Sequence, residues 1–394
     1  MPGQTATKDS HDSGSGGPHP VVRAAKRARA PLWAKLLTTL GAVIVLVSAS
    51  GLVGVRYFLT KLTSNIETTT SVLEDKAVGG TPSAGKLPQG AMNLLMLGLD
   101  TRQGWEAKGE LSRSDTMLVL HITKDHDQAY MISIPRDMIA RIPADKSLDF
   151  PGSTERINAA YAYGSRDGRG WAGGAKLATK AVNALTGISF DGVVVIDFDG
   201  FKGILEAMGG VHMCVDKDMW SGHYTVDSKG KVAYAPGVDP QYPPRNALWF
   251  RKGCRNMAAW EALEFSRLRH SANGDYDRQR HQQQLLRAMA KKATSAGIMT
   301  NPNTLKKVMA AAGSSLKMDT HRVPIDDFIF GMKDLAAADL IPIKTNSGSF
   351  VTKGDGEGIN DVTKQLFRAA TADKLGEFLA THPELLINDG EAAP

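Results

Sequence analysis

A chain of 394 residues with 42% hydrophobic content suits one large domain or two ordinary ones and is too apolar to be disordered throughout. Its formal charge of +6 is a mild basic excess, concentrated in the first 35 residues, and selects neither nucleic acid, an anionic membrane nor a phosphate-rich ligand by itself. Two cysteines are too few for a disulfide-built scaffold, and neither they nor the ten histidines show metal-ligand spacing.

Residues 1–35 lack periodicity, are rich in Gly, Ser, His and Pro, and read as a disordered tail ending in the basic stretch VVRAAKRARAPLWAK. Residues 36–55, LLTTLGAVIVLVSASGLVGV, carry no charge and match the roughly 20 residues that span a bilayer as one helix. Basic residues on its N-terminal side place that side in the cytoplasm. A cleaved secretory signal is the alternative, which the long leader and long apolar run suit less well. On either reading everything after Arg56 is extracytoplasmic, so the expected location is the cell membrane, single-pass. The basic leader is then an orientation signal, and no folded nucleic-acid reader accompanies it. Outside the cytoplasm Cys214 and Cys254 are expected to pair, closing a loop of about 40 residues worth roughly 3–4 kcal/mol.

Residues 56–90 are polar and read as an extracytoplasmic tether. From Ala91 the pattern is globular. MNLLMLGL, TMLVLHI and AYMISI predict three strands, the last two joined by the turn TKDHDQ. GGAKLATKAVNALTG predicts a helix stopped at Gly187. FDGVVVIDF is a strand, DGFKGILEAMGG a helix with Asp199 as its cap, and VHMCVD a strand. Residues 217–253 read as a long irregular excursion, NMAAWEALEF as a helix, SRLRH as extended, and DRQRHQQQLLRAMAKKATSAG as a long helix. The fold class is α/β: a mixed α-β-α sandwich, its central mixed sheet covered by helices, in one domain over 91–380 with its core at 91–295. Residues 381–394 read as a frayed tail.

The link DTRQGWEAKGELSRSD is too irregular for a helical crossover, so the first three strands are expected to run as an antiparallel meander. The exit of the first, the entry of the second and the exit of the third then share an edge. Those positions hold Asp100, then Arg113 and Asp115, then Arg136 and Asp137. Carboxylates hold a hard cation such as Mg2+, with Mn2+ as the alternative ion, and arginine forks clamp phosphate. Together they point to a metal–pyrophosphate site; the bland alternative is a set of rim salt bridges worth about 0–1 kcal/mol each. Arg267 and Arg269 share a face only if SRLRH is extended. On the long helix the 100° step puts Arg278, Gln282, Leu285 and Met289 on one face and Arg280 on the opposite one. That face starts polar at a helix N-terminus and turns apolar, as a phosphate head with a greasy tail would need, although ordinary core packing also suits Leu285 and Met289. Asp275 is either a cap or a catalytic group.

At these residues the sequence resembles the LytR-CpsA-Psr family of bacterial cell-envelope phosphotransferases, in a form similar to actinobacterial members. The match runs in order through LGLDTR (97–102), RSDTML (113–118), SIPRD (133–137), RINAAYAYG (156–164), DFDGFKGILEAMGGV (197–211) and RLRHSANGDYDRQRHQQQ (267–284). The resemblance implies transfer of a glycopolymer from a polyprenyl-pyrophosphate carrier to a peptidoglycan sugar hydroxyl, through a phosphodiester. It implies that Asp100 and Asp115 hold Mg2+, and that Arg113, Arg136, Arg156, Arg267, Arg269 and Arg278 contact the phosphates with Asp275 and Gln282 in support. The family often carries lysine where Arg156 stands. Asp100 and Asp275 are both candidates for the base, and Ser114 has no histidine partner for acyl chemistry. A non-catalytic module that binds or senses polyprenyl-linked intermediates is the alternative function, and a pyrophosphatase using water a third. Nothing in the sequence sets the oligomeric state, the glycan or the acceptor hydroxyl.

Overall fold

Near-continuous apolar strands need cover on both faces, and their alternate residues supply two separate layers. The computed structural model of the protein describes residues 66–73, 90–101, 112–235, 242–271, 273–298, 301–321 and 339–387, with Thr63, Val323 and Ile325. Its first strands are β1 (Glu67–Thr68), β2 (Met92–Leu99), β3 (Ser114–Ile122), β4 (Gln128–Ser133), β5 (Ile139–Ile142), β6 (Ser153–Arg156) and β7 (Gly192–Asp197). There follow β8 (Val211–Val215), β9 (Met219–Val226), β10 (Val232–Tyr234), β11 (Ala247–Phe250), β12 (Gly253–Met257), β13 (Leu316–Asp319) and β14 (Asp339–Ile343). The helices are α1 (Ala159–Gly164), α2 (Gly170–Thr186), α3 (Phe198–Ala207), α4 (Ala259–Phe265), α5 (Asp275–Ser295), α6 (Pro302–Ala312), α7 (Asp361–Thr371) and α8 (Leu375–Thr381).

The main sheet has the order β1-β13-β7-β2-β3-β4-β14. The expected meander is present: β2–β3 and β3–β4 are antiparallel, whereas β2–β7 and β4–β14 are parallel, so the sheet is mixed. On one face Leu95, Leu97, Val119, Ile132 and Val193 pack with Leu177 and Val182 of α2 and with Leu366 and Phe367 of α7. On the other, Leu94, Leu120 and Met131 pack with Leu305 and Met309 of α6. Each such side chain, removed from water, contributes about 1.5–3 kcal/mol. A third core gathers Leu205 of α3, Met213, Phe250, Phe265 and Leu285. Helix α2 stops where expected, with Gly187 in the left-handed region at φ 74°. Gly164 of α1 and Gly173 of α2 let the two helices meet backbone to backbone; a Cβ at Gly173 would stand 2.3 Å from the Gly164 carbonyl oxygen.

Several expectations are corrected. Helix α3 is capped by Asp197, whose side chain accepts from Gly200 N, and Asp199 lies inside its first turn. The excursion at 217–253 contains a small antiparallel sheet, β10-β9-β11, because its aromatic residues pair across strands. Cys214 and Cys254 are in register across β8–β12 and form the expected disulfide. Part of the expected tether is docked: β1 pairs with β13, Val72 is buried, and Val72 N and Leu73 N donate to Asp319. The tail is not frayed up to Ile387, since Leu385 is buried and Ile387 N donates to Pro342 O. The leader at 1–35, the expected span at 36–55 and residues 388–394 lie outside the described residues. Among the described residues no helix is long and apolar enough to cross a membrane.

Candidate active site

A cavity of about 240 Å³ opens where β2 and β7 end and β3 begins, and α3, α4 and α5 close around it. Strand alternation alone would put Asp115 on the face of Met117 and Val119, inside the first core. The β2–β3 register prevents this: Gly98 pairs with Thr116 but Leu99 with Ser114, so Asp115 is the extra residue of a bulge. Asp115 and Thr116 consequently both line the cavity. Arg113, one turn of the pleat earlier, is exposed and absent from the lining; its charge is felt at the Tyr163 hydroxyl instead. The bulge therefore separates two residues that an uninterrupted strand would have kept together.

Helix α5 supplies the opposite wall, and two of its three consecutive glutamines hold it there. Gln283 donates to Met131 O, Ser133 Oγ and Ile343 O of the main sheet, and Gln284 to Cys214 O of β8. With 100° per residue, Gln282 is left facing the cavity, in line with Arg278, Leu285 and Leu286. Met289 packs in the third core and Arg280 faces away, pairing with Asp216 at 2.8 Å. Asp275 is no cap. Its side chain receives the Arg278 fork at 2.8 and 3.0 Å and Gln279 at 3.1 Å.

The charged rim is a connected network. Arg136 lies 2.8 Å from Asp115 and 3.6 Å from both Asp137 and Asp275, and Arg267 lies 3.4 Å from Asp100. Asp100, Asp115, Arg136, Arg267, Arg269, Arg278 and Gln282 all line the cavity, as expected together. Asp275, expected among the catalytic groups, stands behind Arg136 and Arg278 rather than in the lining. Arg156 is also outside the cavity: its fork holds Asp137 at 3.4 Å and the Asp355 carbonyl at 2.6 Å.

Burial works against the Arg136 charge, but Asp115, Asp275 and Asp137 outweigh it and raise its pKa. Burial likewise opposes ionised Asp275, and Arg278, Gln279 and Arg136 nevertheless hold its pKa below the usual carboxylate range. Arg269 is the exception. It is open to solvent yet pushed down by partial desolvation and by the neighbouring Arg136 and Arg278, and it makes no ion pair among the described residues. The buried Arg136 Nε likewise has no hydrogen-bond partner among the described residues. Four guanidiniums line this one cavity, with donor capacity unspent at Arg136 and Arg269, a chemistry suited to a multiply charged anion.

The lining changes character along each element in the same direction. Asp100 gives way to Leu99, Leu97 and Met96 along β2, Asp115 to Leu118 along β3, and Arg278 and Gln282 to Leu285 and Leu286 along α5. Phe198 and Phe201 of α3 and Leu263 of α4 complete the apolar wall, with Arg267 over the Phe198 ring at 4.5 Å. The two phenylalanines were legible as an i, i+3 pair but not as lining. His223 also lines the cavity, from within the supposed irregular excursion, and no local pattern marks it. Among the described residues the one cluster with ligand-like proximity, His212 with Cys214 and Cys254, contains the disulfide and so offers no free thiolates.

Residues 57–354 match the model of the LytR_cpsA_psr family. A "Polyisoprenyl-teichoic acid--peptidoglycan teichoic acid transferase TagU" from Oceanobacillus iheyensis is 27% identical over 69% of this chain and 70% of its own length. A "Probable cell wall biosynthesis protein LcpB" from Corynebacterium glutamicum is 27% identical over 60% of this chain, which spans half of that protein. Among solved structures, the Bacillus subtilis TagV crystal structure covers 74% of this chain and 99% of its own, at 21% identity and a TM-score of 0.50. A TagT structure bound to LI-WTA covers 79% and 99%, at 22% identity and a TM-score of 0.51. Those structural likenesses are of fold. Because the family match takes in most of the chain, including the β2–β3 rim and the whole of α5, this protein belongs to the LytR_cpsA_psr family.

Proposed function

We propose that the protein is a phosphotransferase that moves a glycopolymer from a polyprenyl-pyrophosphate carrier onto a peptidoglycan sugar hydroxyl through a phosphodiester bond. The observation that carries the reading is the single cavity whose arginine and aspartate rim continues into a wall of Met96, Leu118, Phe198, Phe201, Leu285 and Leu286. A polyprenyl pyrophosphate has that same division into a dianionic head and an isoprenoid tail. The names of the Oceanobacillus and Bacillus relatives, both polyisoprenyl-teichoic acid–peptidoglycan transferases, support the same substrate classes.

The chain's own groups account for most of the chemistry. Arg136, Arg267, Arg269 and Arg278 bind the pyrophosphate and spread the charge that grows on the leaving polyprenyl phosphate. Asp275 and Asp137 hold the Arg136 and Arg278 forks in place. Asp100 and Asp115 fit a divalent cation: each uses one oxygen on an arginine, through Oδ1 and Oδ2 respectively, and both face the same cavity. Hard carboxylate oxygens beside a phosphate site are the donors Mg2+ takes, and when bound it supplies charge neutralisation at the pyrophosphate. Residues 36–55 are proposed as the single membrane span, with the N-terminus cytoplasmic and the domain outside.

The test is to incubate the full chain in detergent with a polyprenyl-pyrophosphoryl oligosaccharide, a peptidoglycan oligomer and Mg2+. Release of polyprenyl phosphate with formation of a glycan–peptidoglycan phosphodiester is expected. Release without that bond would make it a pyrophosphatase, and binding without release a sensing module.

A further inference from the structure

Attack by a sugar hydroxyl releases a proton, and the groups of the charged rim are poor acceptors for it. Asp100 and Asp115 are engaged by arginines, Asp275 is held ionised behind two of them, and a guanidinium has no lone pair to offer. His223 is different. It lines the same cavity from β9, beside Leu263, Ser266 and Arg267.

The ring is held by one buried acid. His223 Nδ1 lies 3.1 and 3.2 Å from the two oxygens of Glu264, whose side chain is 1% exposed. Ser221 Oγ donates to the same carboxylate at 2.5 Å and accepts from His223 N and Tyr224 N. Burial would push Glu264 towards its neutral form, but His223, Ser221 and Arg267 hold its pKa down. An ionised carboxylate only accepts, so Nδ1 carries the hydrogen and the Nε2 lone pair is left on the other side of the ring. Nε2 has no hydrogen-bond partner among the described residues, and the side chain is 32% exposed. The backbone is shaped for this. Between the Trp220–Trp249 and Thr225–Ala247 pairs, β9 has four residues against one on β11, so 221–224 bulge out of the β9–β11 pairing while Tyr224 still pairs with Tyr234 of β10.

We propose that His223 is the general base of the transfer reaction, oriented by Glu264 and Ser221; this rests on the transferase reading above. Nε2 takes the proton of the acceptor hydroxyl as its oxygen bonds to the glycan-bearing phosphorus. The bond from that phosphorus to the bridging oxygen breaks, and its electron pair leaves on polyprenyl phosphate. Glu264 stabilises the imidazolium, which returns its proton to solvent. Other charged or titratable groups around the ring are Arg267 after α4, His270 against Trp220, and Tyr224 on β9.

The experiment follows polyprenyl phosphate release by the full chain across pH, with the peptidoglycan oligomer saturating. His223→Gln is expected to lose 10²- to 10⁴-fold in kcat with little change in KM for the lipid, and to lose the acid limb of the rate profile. Glu264→Gln, which takes away the carboxylate that receives the Nδ1 hydrogen, is expected to lower kcat with little change in KM for the lipid. Should His223→Gln fold poorly, His223→Ala with added imidazole replaces it, and recovery of rate is expected. A His223→Gln protein with wild-type rate and pH profile overturns the proposal, as does a folded His223→Ala that imidazole does not rescue. Wild-type protein that releases no polyprenyl phosphate refutes the transferase reading itself, and the base assignment with it.

Discussion

Replacing Arg136 by alanine separates the site's chemistry from the fold's stability. The side chain is 18% exposed and serves Asp115, Asp137 and Asp275, each of them 24–30% exposed. Its removal leaves Asp275 still held by the Arg278 fork, so one strong pair and two looser contacts are lost. Partly exposed pairs of this kind contribute about 1–2 kcal/mol in all, which lowers the melting temperature of a domain this large by roughly 2–4 °C. A stability of about 5–15 kcal/mol absorbs such a loss and leaves over ~99% of the molecules folded. The chemical loss is much larger. A preorganised donor at developing charge is worth about 10²- to 10³-fold in kcat. The assay pairs calorimetry with polyprenyl phosphate release, and Arg136→Lys, which keeps charge but not the fork, should recover only part of the rate. Transfer by Arg136→Ala within threefold of wild type would refute the assignment of the rim to the pyrophosphate.

Four other outcomes are expected. Leu286→Gln puts an amide into the apolar wall and should raise KM for long polyprenyl substrates about tenfold, leaving short-chain analogues unchanged; equal effects on both would deny the wall its role. Asp100→Asn and Asp115→Asn should each raise the Mg2+ concentration needed for half-maximal transfer, and chelation should stop wild-type turnover until Mg2+ is returned. Cys214→Ser with Cys254→Ser should cost roughly 3–4 kcal/mol in denaturant unfolding, set by the loop of about 40 residues that the disulfide closes. Burial would raise the Asp145 pKa, but hydrogen bonds from Lys180 and Ser147 lower it to about 2. Its stabilisation is therefore present above the unfolded value near 3.8, worth on the order of 2 kcal/mol, and lost as pH falls towards 2; Lys180→Met should flatten that acid dependence in thermal melts.

The strands, their meander and the rim they share were readable because alternation and turn chemistry are local properties. Apolar runs at 92–99 and 116–122, separated by an irregular link, leave few ways to pair, and the observed register has Met96 opposite Leu118. The polar-to-apolar face of α5 was readable for the same reason, since a helix fixes its own 100° step. Even there, the roles of Gln283 and Gln284 depended on which carbonyls of β4, β14 and β8 came within reach.

What the tertiary structure alone decided was the aim of each charged group. Arg113 and Asp115 are two residues apart, yet one bulge sends Asp115 into the cavity and leaves Arg113 outside it. Arg156 carries the right chemistry but is taken by Asp137 and a carbonyl of a distant loop. His223 and Glu264 meet across 41 positions through an irregular strand pairing that no periodicity encodes. Sequence by itself determined which segments form the sheet and which ends hold charge, because those follow from neighbours along the chain. Which of those charges converge follows from register, bulges and long-range contacts, and these exist only once the chain has closed on itself.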